Sequence, residues 1–223
     1  MPATASMAVR LGRIADRLAR VYGRPRRRRG DPLDVLVETV LSQNTSDLNS
    51  GRAFRSLKAA FPSWQAVAAA RAGAVESAIR VGGLARIKSR RIQALLGALQ
   101  VREGGYHLRG LQRQEAAAAA ARLAGLPGVG PKTRACVQLF ACGQAAFPVD
   151  THVHRITRRL GLVDARADAV RTQALLEPDV PAGRALDLHL NLIRLGREVC
   201  RPRDPRCPEC ALRPLCAFAR RAA

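Results

Sequence analysis

The segment Leu126-Pro127-Gly128-Val129-Gly130-Pro131-Lys132-Thr133 limits what this chain can fold into more than any other. Two glycines, one residue apart, lie between an alanine-rich helical run (Glu115 to Leu123) and a second helical run (Thr133 to Ala141). Glycine permits a tight turn or a close approach of backbone to ligand. Pro131 suits the first turn of a helix, where its missing N–H has no partner to lose. The segment reads as helix, tight hairpin, helix. Its free N–H groups at a helix N-terminus would suit a phosphate. A plain helix–helix connector has the same pattern, so Lys132 and the residues beyond it decide.

Charge narrows the choice of partner. Lys and Arg number 38 against 17 Asp and Glu, a formal net charge of +21. That imbalance points to a polyanion, above all nucleic acid. The cations are nearly all arginine; the lysines are Lys58, Lys88 and Lys132. Where charge alone is wanted this chain uses arginine, which cannot lose its proton. A lysine in the hairpin is therefore a candidate for use as an amine, with codon bias as the competing explanation. No apolar run approaches membrane-spanning length. The N-terminus lacks the apolar core of a secretory signal, so disulfides are not expected of the six cysteines. Aromatic residues are few, which argues against an extended base-stacking platform.

Along the chain the periodicity is helical, without alternating strand patterns or internal repeats, and the fold class is all-α. The residues up to about Ser6 read as disordered. Val9 to Val21 forms an amphipathic helix with Leu11, Ile14, Leu18 and Val21 on one stripe. Arg24 to Arg29 is a basic linker, an arm over phosphates or a solvated turn. Asp31-Pro32 opens a helix with Leu33, Val35, Leu36, Val40 and Leu41 buried on most sides. It ends in Ser42-Gln43-Asn44-Thr45-Ser46-Asp47, where Asp47 can cap a helix running to about Phe61. Short helices follow, one capped by Ser63 and one from Ala72 to Ile79. After Gly82-Gly83 and Leu84, a helix from Arg86 or Ile87 carries Ile92, Leu95, Leu96 and Leu99 up to Gly104-Gly105. Beyond the hairpin come Phe147-Pro148-Val149-Asp150-Thr151-His152, a helix to Leu160, and helices from about Ala165 to Leu176 and Pro181 to Glu198.

Cys200, Cys207, Cys210 and Cys216 follow the spacing C-x6-C-x2-C-x5-C among prolines. Four thiolates so placed suit a tetrahedral sulfur site for zinc or an iron–sulfur cluster, and spacing alone does not choose. Arg201, Arg203, Arg206, Arg213, Arg220 and Arg221 surround them and would present cations to phosphates. Cys136 and Cys142 read as small buried hydrophobes. His107, His154 and His189 read as structural.

Three motifs in order, L-P-G-V-G-P-K-T at 126–133, V-D-T-H at 149–152 and the cysteine quartet at 200–216, make the chain resemble the endonuclease III family of helix–hairpin–helix DNA glycosylases. The 18-residue step from Lys132 to Asp150 fits that family's lysine and aspartate. The resemblance spans about Asp31 to Cys216 and implies an all-α, two-domain protein. Residues 31–144 would form a six-helix domain holding the hairpin, and residues 1–30 with 145–223 a [4Fe–4S] cluster domain. The cleft between them would take a flipped nucleotide. It implies excision of oxidised pyrimidines from duplex DNA with strand cleavage at abasic sites; a related glycosylase of different base specificity and a non-catalytic helix–hairpin–helix DNA-binding protein are the alternatives. It also implies a monomer without membrane contact, cytoplasmic and nucleoid-associated as in bacteria.

The resemblance assigns roles residue by residue. Lys132 would be the nucleophile, its neutral amine favoured by the helix N-terminus and the surrounding arginines. A phosphate-contacting cation is the competing role. Asp150 would stabilise the cationic transition state, cap the following helix, or do both. Gly128 and Gly130 would grip the DNA backbone. Leu84, in the family's G-L-x-x-x-K segment, would fill the space left by the flipped base, unless it is a core leucine. The family's filling glutamine lies in L-S-x-Q-x-T-D; this chain has Leu41-Ser42-Gln43-Asn44-Thr45-Ser46-Asp47, so Asn44 takes its place and Gln43 precedes it. His152 would orient Asp150, touch DNA, or serve structure alone.

Overall fold

The computed structural model describes residues 6–26 and 30–221. Residues 1–5 of the stretch expected to be disordered, and Arg27 to Arg29 of the basic linker, lie outside the described residues; Ser6 is described and caps the first helix, its hydroxyl accepting the Val9 amide at 3.4 Å. The chain divides into two compact units, a split unit of Met1–Arg27 with Gln144–Ala223 and a continuous unit of Arg28–Gly143. The described residues form helices joined by turns, with no strand among them.

The split unit begins with α1 (Met7–Tyr22), whose Leu11, Ile14, Ala15 and Leu18 are buried. Val21, expected on that stripe, is instead 58% exposed, because the helix is ending and Ala15 takes up the inward face.

The continuous unit is arranged around α2 (Pro32–Ser42), which buries Leu33, Leu36, Val37, Val40 and Leu41 completely. Asp31 starts it: its carboxylate accepts the amides of Leu33 at 2.9 Å and Asp34 at 3.2 Å, and Pro32 supplies a preset φ. Around α2 come α3 (Asp47–Ala60), α4 (Trp64–Ala69), α5 (Ala72–Ala78), α6 (Ala85–Glu103), α7 (Ala116–Leu123) and α8 (Pro131–Val137). Helices α3, α6 and α8 pack directly on α2. Helix α8 widens into a π-helical turn over Gln138–Cys142 and stops at Gly143.

The remaining helices belong to the split unit: α9 (Thr151–Arg159), α10 (Ala169–Leu176), α11 (Ala185–Glu198) and the short α12 (Ala217–Arg221). Helices α1 and α9 both pack on α11, around Phe147, Val153, Ile156, Leu188 and Leu192. Arg184 ties α1 to the start of α11, reaching Asp16 at 2.6 Å and Asp187 at 2.9 Å.

Four boundaries differ from the sequence-based expectation, each for a local reason. Ser46, not Asp47, caps α3, its hydroxyl accepting the Asn49 amide; Asp47 is the first helical residue. Helix α6 starts at Ala85 because Leu84 is left-handed. Helix α10 starts at Ala169, since Asp164 closes a turn with the Arg166 amide and Asp168 caps the helix. Helix α11 starts at Ala185, after a turn in which Arg184 donates to the Pro181 carbonyl. No helix among the described residues is long and apolar enough to cross a membrane.

Replacing Asp31 by Ala should lower stability by about 1 kcal/mol through loss of the cap on α2, measured as a lower urea midpoint with an unchanged slope.

Candidate functional site

The hairpin between α7 and α8 is fixed from below by arginines. Arg102 on α6 donates to the carbonyls of Arg122 at 2.8 Å and Ala124 at 2.9 Å, satisfying the end of α7. Arg122 in turn pairs with Glu103, whose carboxyl that hydrogen bond holds below its usual range. The turn itself closes when the Val129 amide donates to the Leu126 carbonyl at 3.1 Å. Pro127 precedes Gly128, whose φ of +76° is the value a type II turn demands at its third residue.

The two glycines differ in what requires them. A Cβ on Gly128 would run into the Cδ and Cγ of Arg91. Gly130 has φ −82° and ψ −179°, extended backbone open to any residue, with nothing within 4 Å of where a Cβ would stand. The fold therefore needs Gly128 but leaves Gly130 free for something that approaches from outside. Helix α8 starts at Pro131 without a side-chain cap, and Lys132 is its second residue. Lys132 is half-buried and makes no hydrogen bond or ion pair with any other described residue.

The loop after α2 and the turn before α6 belong to the same unit. Asn44 is exposed with φ +53°, and Leu84 is 50% exposed with φ +49°. The core reading of Leu84 is thereby corrected: a left-handed N-cap to α6 turns its side chain outward. Val81 and Ile87 beside it are 43% and 53% exposed, so the turn carries an apolar tip among Arg80, Arg86 and Arg90. Gln43 is committed elsewhere: Arg91 Nη1 donates to its Oε1 at 2.5 Å. Arg91 thus links the Gln43 loop to Gly128 of the hairpin.

Sequence reasoning gave Arg91 no role, and it placed Lys88 only as the last residue of the G-L-x-x-x-K segment. Lys88 is 1% exposed, and its Nζ donates to the carbonyls of Leu41 at 2.7 Å and Gly82 at 2.8 Å. Burial pushes its amine down from the usual lysine range. One signal was present: Lys88 stands in helical register with Ile92, Leu95 and Leu99 on the face that α6 buries.

In the split unit, Asp150 is the N-cap of α9, accepting the Val153 amide at 2.8 Å, and stays partly exposed. His152 is positioned by its neighbours. Its Nδ1 lies 3.2 Å from Arg155 Nη2, and a Cβ on Gly196 would come within 2.7 Å of that nitrogen. Arg155 also donates to the carbonyls of Gly196 at 2.9 Å and Cys200 at 2.8 Å, joining α9 to the start of the cysteine loop. Desolvation pushes its guanidinium down from the usual arginine range.

Cys200, Cys207, Cys210 and Cys216 are unpaired and partly buried. Arg159 bridges two of them, donating to Cys200 Sγ at 3.3 Å while its own carbonyl accepts from Cys216 Sγ at 3.4 Å. Burial, followed by the charge of Cys200, Cys216 and Cys207, pushes the Cys210 thiol up. Among the described residues no three His, Cys, Asp or Glu side chains are grouped so as to hold a metal ion. Arg201, Arg203, Arg206 and Arg213 on the same loop are exposed. Cys136 is buried and Cys142 packs against the core, as small apolar residues do. His154 and His189 bond the backbone carbonyls of Ala167 at 2.8 Å and Pro148 at 2.9 Å.

Residues 37–181 match the profile of the HhH-GPD superfamily base excision DNA repair protein. Endonuclease III of Thermotoga maritima is 35% identical over 191 residues, 86% of this chain and 85% of that one. A relative from Arabidopsis thaliana is 43% identical over 168 residues, 74% of this chain but 56% of that longer protein. Two solved structures of endonuclease III with DNA share 27% identity with it at a TM-score of 0.83, covering 98% of this chain and 99% of theirs. One is a non-covalent complex and the other a trapped covalent intermediate.

Gly128→Ala should destabilise the chain by about 1–3 kcal/mol through left-handed strain and the collision with Arg91. Gly130→Ala should stay within about 0.5 kcal/mol of the parent. Urea unfolding of both variants, side by side, checks the contrast.

Proposed function

Since the chain belongs to the endonuclease III family of the HhH-GPD superfamily, we propose that it is a DNA glycosylase with abasic-site lyase activity. Its substrate is duplex DNA carrying oxidised pyrimidines or abasic sites, on which it acts as a monomer. The observation that carries this reading is Lys132. An amine with no partner among the described residues, two residues after a hairpin glycine that the fold does not require, is a reagent rather than a tether.

The chemistry follows from the residues. Extrusion of the nucleotide exposes C1′, at a cost of roughly a few kcal/mol for unstacking. The amine of Lys132 attacks C1′ and gives up a proton; the glycosidic bond breaks, and its electron pair leaves with the base, which takes up a proton. Opening of the sugar ring at O4′ leaves a C1′ iminium joined to the lysine. Its positive charge acidifies C2′, so loss of that proton and departure of the 3′-phosphate break the strand. Water then hydrolyses the imine and returns the amine. Asp150 meets the positive charge that develops on the sugar. Its role as N-cap of α9 serves this purpose, since a carboxylate held by the Val153 amide does not have to be ordered again when the charge appears.

Gly128 and Gly130 let the hairpin amides approach a phosphate closely. Leu84 enters the stack from its exposed left-handed turn, and Asn44 occupies the vacated position in place of the family's longer glutamine. Gln43 is held by Arg91, so Asn44 is the side chain of that loop free to enter. A shorter filler stabilises the extruded state less, which favours lesions that already pair weakly. His152, braced by Arg155 and two residues after Asp150 in the chain, lines the DNA.

Cys200, Cys207, Cys210 and Cys216 would hold a [4Fe–4S] cluster. Four thiolates suit zinc as well as a four-iron cluster, and the likeness to endonuclease III favours the cluster. The unpaired thiols and the Arg159 donor at Cys200 Sγ fit such a site. When bound, the cluster ties the arginine-bearing loop into one shape.

Lys132→Ala should abolish both strand cleavage and borohydride trapping to DNA, while Asp150→Asn should lose turnover and keep DNA affinity. Persistent trapping by the first variant would overturn the assignment of the nucleophile. Purified protein should be brown, with about four irons per chain; colourless protein containing zinc would refute the cluster reading.

A further inference from the structure

Among the described residues, three that are not glycine have a positive φ: Asn44, Leu84 and Asp204. Left-handed backbone is unfavourable for such residues, so something must hold them there. Two of the three are the residues assigned above to the duplex interior, and a single side chain stands behind both. Lys88 Nζ donates to the carbonyl of Leu41, three residues before Asn44, at 2.7 Å. The same nitrogen donates to the carbonyl of Gly82, two residues before Leu84, at 2.8 Å. Lys88 is 1% exposed and has no carboxylate partner among the described residues, so both bonds run through the dry interior, where they resist exchange with water.

The geometry has a purpose beyond stability. Leu41 ends a helix buried on nearly every side, and a helix C-terminus leaves carbonyls without intrahelical partners. A backbone amide or a bound water could have satisfied one carbonyl. A lysine satisfies two from separate segments at once, and so fixes the distance between them. Gly82 has no room to adapt: a Cβ there would come within 3.0 Å of Ala53 on α3. The 82–84 turn is therefore pinned by α3 on one side and by Lys88 on the other.

We propose that Lys88 is a positioning residue that locks the Asn44 loop and the Leu84 turn into one rigid two-pronged wedge. The wedge enters the duplex as a unit, and its geometry is set before DNA arrives. The inference rests on the glycosylase reading and assigns to it the element that makes base extrusion cooperative.

The test compares Lys88→Met, Leu84→Ala and the double variant on two substrates. One is duplex DNA with a paired lesion, which has to be unstacked. The other is a single-stranded abasic site, which does not. Misplacing such a wedge should lower single-turnover excision from duplex roughly 100-fold, and should reduce the fluorescence rise of a 2-aminopurine at the extruded position. For Lys88→Met, strand cleavage at the single-stranded abasic site should stay within about twofold of the parent, because no stack has to be filled. The double variant should be no worse than the weaker single variant, since both changes disable one device. Additive losses would overturn the proposal, as would an equal loss on both substrates, which would mark Lys88 as a support of the whole fold. Should Lys88→Met not fold, native-state hydrogen exchange on the parent chain decides. Amides of 42–46 and 82–84 opening in one event support the lock; independent openings refute it. A parent chain that neither excises a base nor traps on DNA would refute the glycosylase reading itself, whereas an active parent with an unaltered Lys88→Met refutes only the lock.

Discussion

Helix α2 has almost no face left for water, and much of the continuous unit follows from that. Five apolar side chains buried to 0% exposure along eleven residues require neighbours all round, which α3, α6 and α8 supply. Burying a helix this thoroughly also buries its end, where carbonyls lack intrahelical partners. The acidic cap at Asp31 resolves the N-terminal half of that problem by a local device. At the C-terminal end local donors reach the carbonyls of Thr39, Val40 and Ser42, and a lysine arriving from α6 takes that of Leu41.

Among the described arginines and lysines, beside those paired with carboxylates such as Arg122 and Arg184, two groups stand out. Arg102, Arg155 and Arg159 are spent on backbone carbonyls, joining helix ends to turns. Arg201, Arg203, Arg206 and Arg213 are exposed, facing water. A formal charge of +21 does not measure affinity for DNA, because part of it is structural cement. Lys132 belongs to neither group, and that isolation makes it stand out chemically.

Both units reach their candidate residues by the same economy of parts. The carboxylate of Asp150 starts α9 and stays partly exposed; Arg155 braces His152 and fastens the first cysteine. Arg91 holds Gln43 and, through its stem, excludes any side chain at Gly128. A substitution at one of these residues alters a scaffold and a reagent together. Variants chosen to separate the two, such as Gly130→Ala against Gly128→Ala, are therefore more informative than deletion of a reagent alone.

The sequence by itself determined what depends on neighbours along the chain. Helical periodicity, cap residues and the glycine–proline punctuation of 126–131 act within a turn or two, so the all-α class and most helices could be read directly. The boundaries that slipped were those where two candidate caps compete, as Ser46 and Asp47 do, or where an extra turn precedes the helix, as at 164–168 and 181–184. The site motifs were legible for the same reason: Lys132, Asp150 and the cysteines sit in short, strongly patterned segments. Tertiary structure decided what depends on contacts across tens of residues. It showed that Gly128 is demanded by Arg91 while Gly130 is not, that Gln43 is tied down while Asn44 is free, and that Leu84 points outward. It also turned Lys88, a cation by composition, into a buried clamp. Hydrogen-bond partners separated by 47 positions, as Lys88 and Leu41 are, leave no trace in local pattern, because only packing brings a particular donor to a particular carbonyl.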